Sequence, residues 1–138
     1  MKIKIVLKSQ FKRIVPEVEI STTNNIYKTL LDTDTIFEKE FNLQQKDVLK
    51  INFLNKDGVD DNIIFIKSIE IDEINLQHYI YDGIFYPEYD QNWLAQQIQI
   101  PPTFYKPCTE LRLKGTWHLN IQLPIWKMIM EKWLNDNR

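Results

Sequence analysis

The chain has 138 residues and a formal net charge of −2 at pH 7. That length suits one domain around one hydrophobic core, and the near-neutral charge argues against broad nucleic-acid binding or a polybasic membrane contact. The single cysteine, Cys108, excludes an intrachain disulfide. Lysines interrupt the apolar residues near the N-terminus, so we expect no signal peptide. No apolar run reaches the length of a membrane span.

Short segments of alternating polarity dominate the first half of the chain. Residues 3–7 and 17–21 alternate between apolar and polar side chains, which predicts two half-buried strands. Residues 26–31 fit either a strand or one helical turn. Residues 37–43 predict a further strand, and residues 48–54 are its expected hairpin partner.

The strongest strand signal lies at residues 63–72, which follow the 48–54 strand after a short acidic segment. The isoleucines of this stretch alternate with other residues, and the alternation slips by one position near Lys67 and Ser68. We therefore expect strand, acidic segment and strand to form a hairpin-like step, with an irregularity at the slip.

The C-terminal part predicts a final strand and a helix. Residues 117–123 alternate strictly, and Pro124 follows in a position that helices tolerate at their start. Apolar residues then recur at helical spacing, which predicts an amphipathic helix at 124–136. Because short strands recur at intervals of roughly 8–12 residues without alternating helices, we predict one domain over residues 1–138. Its fold is an antiparallel β-sandwich of jelly-roll type with an appended C-terminal helix.

The acidic segment is the candidate metal site. Asp57, Asp60 and Asp61 cluster around Gly58, and hard cations such as calcium bind several carboxylate oxygens. The alternative is a polar turn in which aspartates cap backbone N–H groups beside the glycine. The spacing is not that of an EF-hand loop.

At this segment the chain resembles calcium-dependent xylan-binding modules, which are small β-sandwiches. Phe53, Leu54 and Asn55 match the start of their motif, Asp61 and Asn62 match its loop, and residues 63–71 match its strand. The resemblance implies calcium bound through Asp57 and Asp61, with the metal contacting sugar hydroxyls. No other cofactor is expected.

Aromatic side chains form the second candidate surface. Residues 79–93 are rich in tyrosine, and aromatic rings both stack on sugars and dominate protein interfaces. One interpretation packs Phe85 and Trp93 in the core. The other exposes a ligand or partner surface, whose predicted residues are Tyr86, Tyr89 and Trp93, together with Trp126 and Trp133 of the helix. That helix either packs on its own sandwich or docks into a neighbouring subunit.

Residues 83–89 and 117–126 are also similar to small, uncharacterised proteins encoded beside structural genes of tailed phages. With no nucleophile elbow and no glycine-rich phosphate loop, we expect no enzymatic activity. Cys108 fits a small buried apolar residue better than a nucleophile. The main hypothesis is therefore a structural or accessory virion protein, such as a capsid decoration or a tail or baseplate component. Its partners would be other protein subunits, including copies of itself. The alternative is a calcium-dependent carbohydrate-binding module with a glycan partner.

Overall fold

The computed structural model describes residues 1–56 and 62–136. These residues form two antiparallel sheets packed face to face with a C-terminal helix, which confirms the predicted β-sandwich of jelly-roll type. The described strands are β1 (Lys2–Phe11), β2 (Glu17–Ser21), β3 (Ile26–Leu30), β4 (Thr35–Glu40), β5 (Lys46–Phe53), β6 (Asn62–Ile71), β7 (Ile74–Asn75), β8 (Ile84–Pro87), β9 (Glu110–Leu111) and β10 (Gly115–Gln122). The described helices are a 3-10 helix (Gln77–Asp82), α1 (Gln91–Ala95) and α2 (Ile125–Asp136).

The chain crosses repeatedly between the two sheets. The first sheet has the strand order β4-β1-β6-β7, and β9 also pairs with β6. The second sheet has the order β3-β2-β5-β10-β8. Within the described ranges, no helix is both long enough and apolar enough to span a membrane.

The core lies between the sheets and follows the predicted alternation. Ile3, Ile5 and Leu7 of β1 are fully buried, as are Trp117 and Leu119 of β10. Burying a large apolar side chain stabilises the fold by about 1.5–3 kcal/mol, so these alternating positions determine which face of each strand points inward. The predicted slip in the long strand is also confirmed. Val6 pairs with Ser68 and Leu7 with Ile66, which leaves Lys67 as the extra residue of a β-bulge.

The predicted hairpins are wrong. The strand at 37–43 does not pair with the strand at 48–54, because β4 pairs with β1 while β5 pairs with β2 and β10. Similarly, β5 and β6 belong to different sheets, so the acidic segment connects the sheets and does not turn a hairpin. Alternation specifies a buried face but not the neighbouring strand, and the consecutive strands of both predicted hairpins belong to different sheets.

The helix α2 lies at the end of the sandwich where β1 begins and β6 ends, which we call the helix end. It begins at Ile125, one residue later than predicted, and buries Ile125 and Met128. Its Lys132 ammonium lies 3.0 Å from the carboxylate of Asp82, the last residue of the 3-10 helix. The helix therefore closes this end of the core with part of its apolar surface.

The opposite end, where β5 and β8 end and β10 begins, we call the loop end. Gly115 pairs with both Phe53 and Pro87, so three strands of the second sheet terminate there side by side. The loop end includes residues 12–16, 54–56, 87–93 and 112–114. The two ends thus differ in what closes them, a helix on one side and irregular segments on the other.

Candidate functional site

The predicted aromatic surface divides between the two ends. Tyr89 and Trp93 belong to the loop end, whereas Trp126 and Trp133 are exposed on α2 at the helix end. Tyr86 lies on the outer face of the second sheet, where its ring meets the His118 ring edge to face at 4.8 Å. The five residues therefore do not form one surface.

The two interpretations of residues 79–93 are each correct for part of the segment. Phe85 is 2% exposed and belongs to the core, as the first interpretation expects. Trp93 is 44% exposed, as the second interpretation expects. The burial that the first interpretation assigns to Trp93 is therefore wrong. Phe85 is held by its position in β8, opposite Trp117, whereas Trp93 lies on a single helical turn beyond the sheet.

The loop-end aromatics form a connected cluster. The Asp90 carboxylate accepts a hydrogen bond from the Asn92 N–H and so caps α1, which places Trp93 in stacked contact with Tyr89 at 5.5 Å. The Tyr89 hydroxyl donates to the Pro102 carbonyl oxygen at 2.7 Å and lies 3.1 Å from the Tyr105 hydroxyl. Burial and the Tyr105 hydroxyl raise the pKa of Tyr89 to about 12, so this phenol stays protonated at neutral pH.

Residues 107–111 connect the two sheets beside this cluster. The Cys108 carbonyl oxygen accepts a hydrogen bond from the indole N–H of Trp117 at 2.8 Å, in the second sheet. The next carbonyl, that of Thr109, accepts from the Ile66 N–H at 2.8 Å, in the first sheet. These consecutive bonds hold the segment across the open side of the sandwich.

A cleft of about 460 Å³ opens between this segment and the Tyr105 strand edge. Tyr105 pairs with Phe85 as an isolated bridge, which adds it to the outer edge of β8. The Arg112 guanidinium lies 3.0 Å from the Glu110 carboxylate on the rim. The lining residues are Phe85, Tyr105, Pro107, Cys108, Thr109, Glu110, Arg112 and Leu113. The cleft therefore combines an aromatic and apolar wall with an exposed pair of charged groups, and its volume is typical of a small-molecule site.

Cys108 lines the cleft but is not arranged as a nucleophile. Its thiol is half-buried, and burial raises its pKa. The Sγ atom lies 3.2 Å from the Glu110 carbonyl oxygen, to which it donates. A thiol whose pKa is raised is less reactive at neutral pH. The predicted burial of Cys108 is only partial, because its side chain is half-buried and borders the cleft.

The acidic residues Asp57, Asp60 and Asp61 lie outside the described residues. On their flanks, the Asn55 side chain accepts from the Glu17 N–H and donates to the Val15 carbonyl oxygen, both at 2.7 Å. The Lys56 ammonium donates to the Asn62 carbonyl oxygen at 2.6 Å. These described groups bond within the protein, and residues 1–56 and 62–136 contain no cluster of three or more His, Cys, Asp or Glu side chains suited to a metal. The described residues alone therefore offer no carboxylate cluster for calcium, and the site at Asp57, Asp60 and Asp61 stays a prediction.

The charged rim and Tyr105 were not among the predicted site residues. Tyr105 lies between prolines in a segment without periodicity, and Glu110 and Arg112 flank a two-residue strand. The spacing of Glu110 and Arg112, two residues apart around a buried leucine, is the signal that places both carboxylate and guanidinium on one face.

Comparison with known proteins supports the fold. No protein-family model and no curated protein matches the sequence significantly. Among solved structures, the chain is similar to a vCBM60 module in complex with galactobiose, with a TM-score of 0.61 and 10% identity over 88% of this chain and 100% of that chain. It is also similar to a selenomethionine form of vCBM60, with a TM-score of 0.58 and 11% identity over 90% of this chain and 96% of that chain. That structure is described as linking two families of calcium-dependent carbohydrate-binding modules by circular permutation. The predicted likeness to tailed-phage proteins finds no support in these comparisons.

Proposed function

We propose that the protein is a non-catalytic carbohydrate-binding module that receives a short glycan in the loop-end cleft. The observation that carries the proposal is the composition of that cleft, which is lined both by the aromatic residue Tyr105 and by the exposed Glu110–Arg112 pair. The C–H face of a sugar ring packs on an aromatic ring, while its hydroxyls hydrogen-bond to charged groups at the rim.

The aromatic cluster beside the cleft supports the same function. Tyr89 and Trp93 present a stacked pair next to Tyr105, and Trp93 is exposed enough to meet a ligand that extends beyond the cleft. A module described in complex with galactobiose has a similar fold, which favours this proposal over the virion hypothesis. No feature of the described residues argues specifically for a virion role. The virion role and its localisation stay predictions.

Calcium is proposed separately as a cofactor held by Asp57, Asp60 and Asp61. Its support is the clustering of three carboxylates and the description of a structural neighbour as linking calcium-dependent families. If the aspartates bind calcium, the metal stabilises the folded state by mass action. The melting temperature should then rise with calcium and fall back on chelation. The double variant Asp57→Ala with Asp61→Ala should lose this response, and a wild-type melting temperature indifferent to calcium would exclude the cofactor.

Titration calorimetry with galactobiose and with xylo-oligosaccharides tests glycan binding, with calcium and after chelation. Arg112→Ala and Tyr105→Ala should each weaken binding by about tenfold or more, equivalent to about 1.4 kcal/mol. His78→Ala, at the other end of the molecule, is the matched control and should bind as the wild type does. Because Tyr105 also pairs with β8, its variant is compared by circular dichroism, whereas the exposed Arg112 can be removed without disturbing the core. Wild-type affinity in Arg112→Ala, or no binding of either sugar class, would overturn the assignment.

A further inference from the structure

Helix α2 carries two apolar stripes, of which only one faces the sandwich. The outward stripe consists of Trp126, Met130, Trp133 and Leu134, which are 62%, 52%, 59% and 46% exposed. At 3.6 residues per turn these positions share one face, which points almost opposite to buried Ile125 and Met128. A surface helix needs one apolar stripe to pack on its own domain, and the second stripe here presents largely exposed apolar side chains to the surroundings.

A cleft borders this stripe. It lies between α2 and the 3-10 helix, has a volume of about 640 Å³, and is lined by Met130 and Trp133 together with Leu76, His78 and Tyr79. Its lining is mainly apolar, and it is open to the same side as the stripe. An aromatic side chain from a partner would fill such a cleft and cover the exposed Trp133 ring.

The charges beside the stripe are self-complementary. Lys127 and Glu131 lie one turn apart on the same flank of the stripe. When two such helices pack antiparallel about a two-fold axis level with Ile129 and Met130, Lys127 comes opposite Glu131 of the partner subunit. The same axis places Trp126 opposite the partner's Trp133, and symmetry makes each contact twice.

We propose that the outward stripe of α2 is a homodimer interface, formed by antiparallel packing against a second copy of this chain. In this arrangement Trp126 of each subunit enters the cleft beside the partner's Trp133, and Lys127 pairs with the partner's Glu131. The interface is one helix long, so it falls in the size class of reversible complexes.

A membrane surface fits the stripe less well. Peripheral helices that bind membranes have polar faces rich in lysine and arginine, which attract anionic lipids. The polar positions of α2 instead alternate in sign, with Lys127 and Lys132 offset by Glu131 and Asp136. The protein carries a net charge of −2, which adds no attraction to an anionic surface.

The interface does not depend on the proposed glycan site. The helix end is opposite the loop end, so dimerisation leaves both clefts at the loop ends accessible. Two linked glycan sites would bind a polysaccharide more tightly than one by raising the effective concentration of the second site. Dimerisation is measured without sugar, so a failure of either proposal is distinguishable from a failure of the other.

Sedimentation equilibrium over a range of protein concentrations tests the dimer. The wild type should show a reversible monomer–dimer equilibrium, and Trp126→Glu and Trp133→Glu should each be monomeric. Glu131→Lys should weaken the dimer by about tenfold or more, because it places two lysines opposite each other. Exchanging both charges, Lys127→Glu with Glu131→Lys, should restore the wild-type dissociation constant.

A matched control is Lys39→Glu, which changes an exposed charge on β4 without touching the helix. It should dimerise as the wild type does. A wild type that stays monomeric up to a protein concentration of about 200 µM would overturn the proposal. That concentration, taken as the dissociation constant, corresponds to a dissociation free energy of about 5 kcal/mol. The proposal would also be overturned by a dimer that survives both tryptophan substitutions, a charge exchange that does not restore association, or binding of the monomer to phosphatidylcholine–phosphatidylserine vesicles through α2.

Discussion

The two ends of the sandwich are closed by different means. At the helix end, α2 inserts Ile125 and Met128 into the core and leaves an apolar stripe outside. At the loop end, irregular segments are held by side chain–backbone hydrogen bonds such as those of Asn55, and a cleft with a charged rim stays open. The helix covers its end of the core, but it carries apolar residues on its outer face as well as on its inner face. The irregular segments at the loop end leave a concave space between them. This difference suits one end to protein contact and the other to a small polar ligand.

The packing around Gly83, where the 3-10 helix leads into β8, should be the easiest feature to disrupt. A methyl group added at Gly83 would overlap the indole ring of Trp117, which is fully buried and tied by its N–H to the Cys108 carbonyl oxygen. Gly83→Ala should therefore lower the free energy of unfolding by about 3 kcal/mol or more. Urea unfolding measures the change.

The neighbouring substitution Asp82→Ala is the control. It removes only the ion pair with Lys132, which is partly exposed, so it should change stability by less than about 1 kcal/mol. Equal stabilities of the two variants would show that the 3-10 helix is not packed tightly against the core.

The polar anchors of the two ends should differ in their response to pH. At the helix end the buried Asp47 carboxylate accepts from the backbone N–H groups of Thr23, Gln44 and Val48 and from the Thr23 hydroxyl. Burial raises the pKa of Asp47, but these hydrogen bonds lower it by more, so the net shift is below its ordinary value of 3.8. Asp47→Ala should cost about 2–3 kcal/mol at pH 7.

This stabilisation by Asp47 is fully present above pH 3.8, the ordinary value, and is lost as the pH falls through the lower pKa of the folded state. The stability difference between wild type and Asp47→Ala should therefore narrow in strong acid. Asn55→Ala at the loop end removes two uncharged hydrogen bonds and should cost about 1–2 kcal/mol at every pH. If the difference in unfolding free energy between wild type and Asp47→Ala stays constant until the protein unfolds in acid, the charged Asp47 carboxylate does not stabilise the fold as assigned.

A smaller effect is expected for the hydroxyl that ties the aromatic cluster to the loop end. Tyr89→Phe keeps the stacking with Trp93 but loses the bonds to Pro102 and Tyr105. The loss of about 1 kcal/mol should be local, so the paired amides of Phe85 and Tyr105 should exchange hydrogen about fivefold faster. Tyr81→Phe, on the exposed phenol of the 3-10 helix, should leave these amides unchanged, and unchanged exchange in Tyr89→Phe would show that the hydroxyl does not hold the edge.

The strand faces were predictable because burial acts locally through alternation. Every second residue of β10 is buried from Trp117 to Ile121, and the bulge at Lys67 was visible as a slip in the same pattern. Strand partners were not predictable in this way. Whether β5 joins β4 or β2 depends on which side of the core each strand occupies, and no local pattern carries that information.

The candidate site was predictable only in part for the same reason. Tyr89 and Trp93 were expected at a ligand surface because exposed aromatics are concentrated in one segment. Tyr105, Glu110 and Arg112 come from a stretch with little periodicity. They meet Phe85 only because Tyr105 pairs with it and because Trp117 and Ile66 hold residues 108 and 109 across the sheets. These contacts are non-local, so they appear only in the folded chain.

The smallest predicted effect belongs to His118, which lies on the outer face of the second sheet between the two ends. Burial, with a further contribution from the nearby Lys50 charge, lowers the pKa of His118 below its ordinary value of 6.5. The unfolded chain therefore takes up the proton first, and the stability of the wild type should fall as the pH drops through 6.5 until the folded pKa is passed. His118→Gln should remove this slope, and Tyr86→Ala, which uncovers the imidazole, should reduce it. Urea unfolding between pH 8 and 5 measures this pH dependence of the unfolding free energy apart from that of Asp47, which lies at lower pH. If His118→Gln shows the same dependence on pH as the wild type, another group causes it.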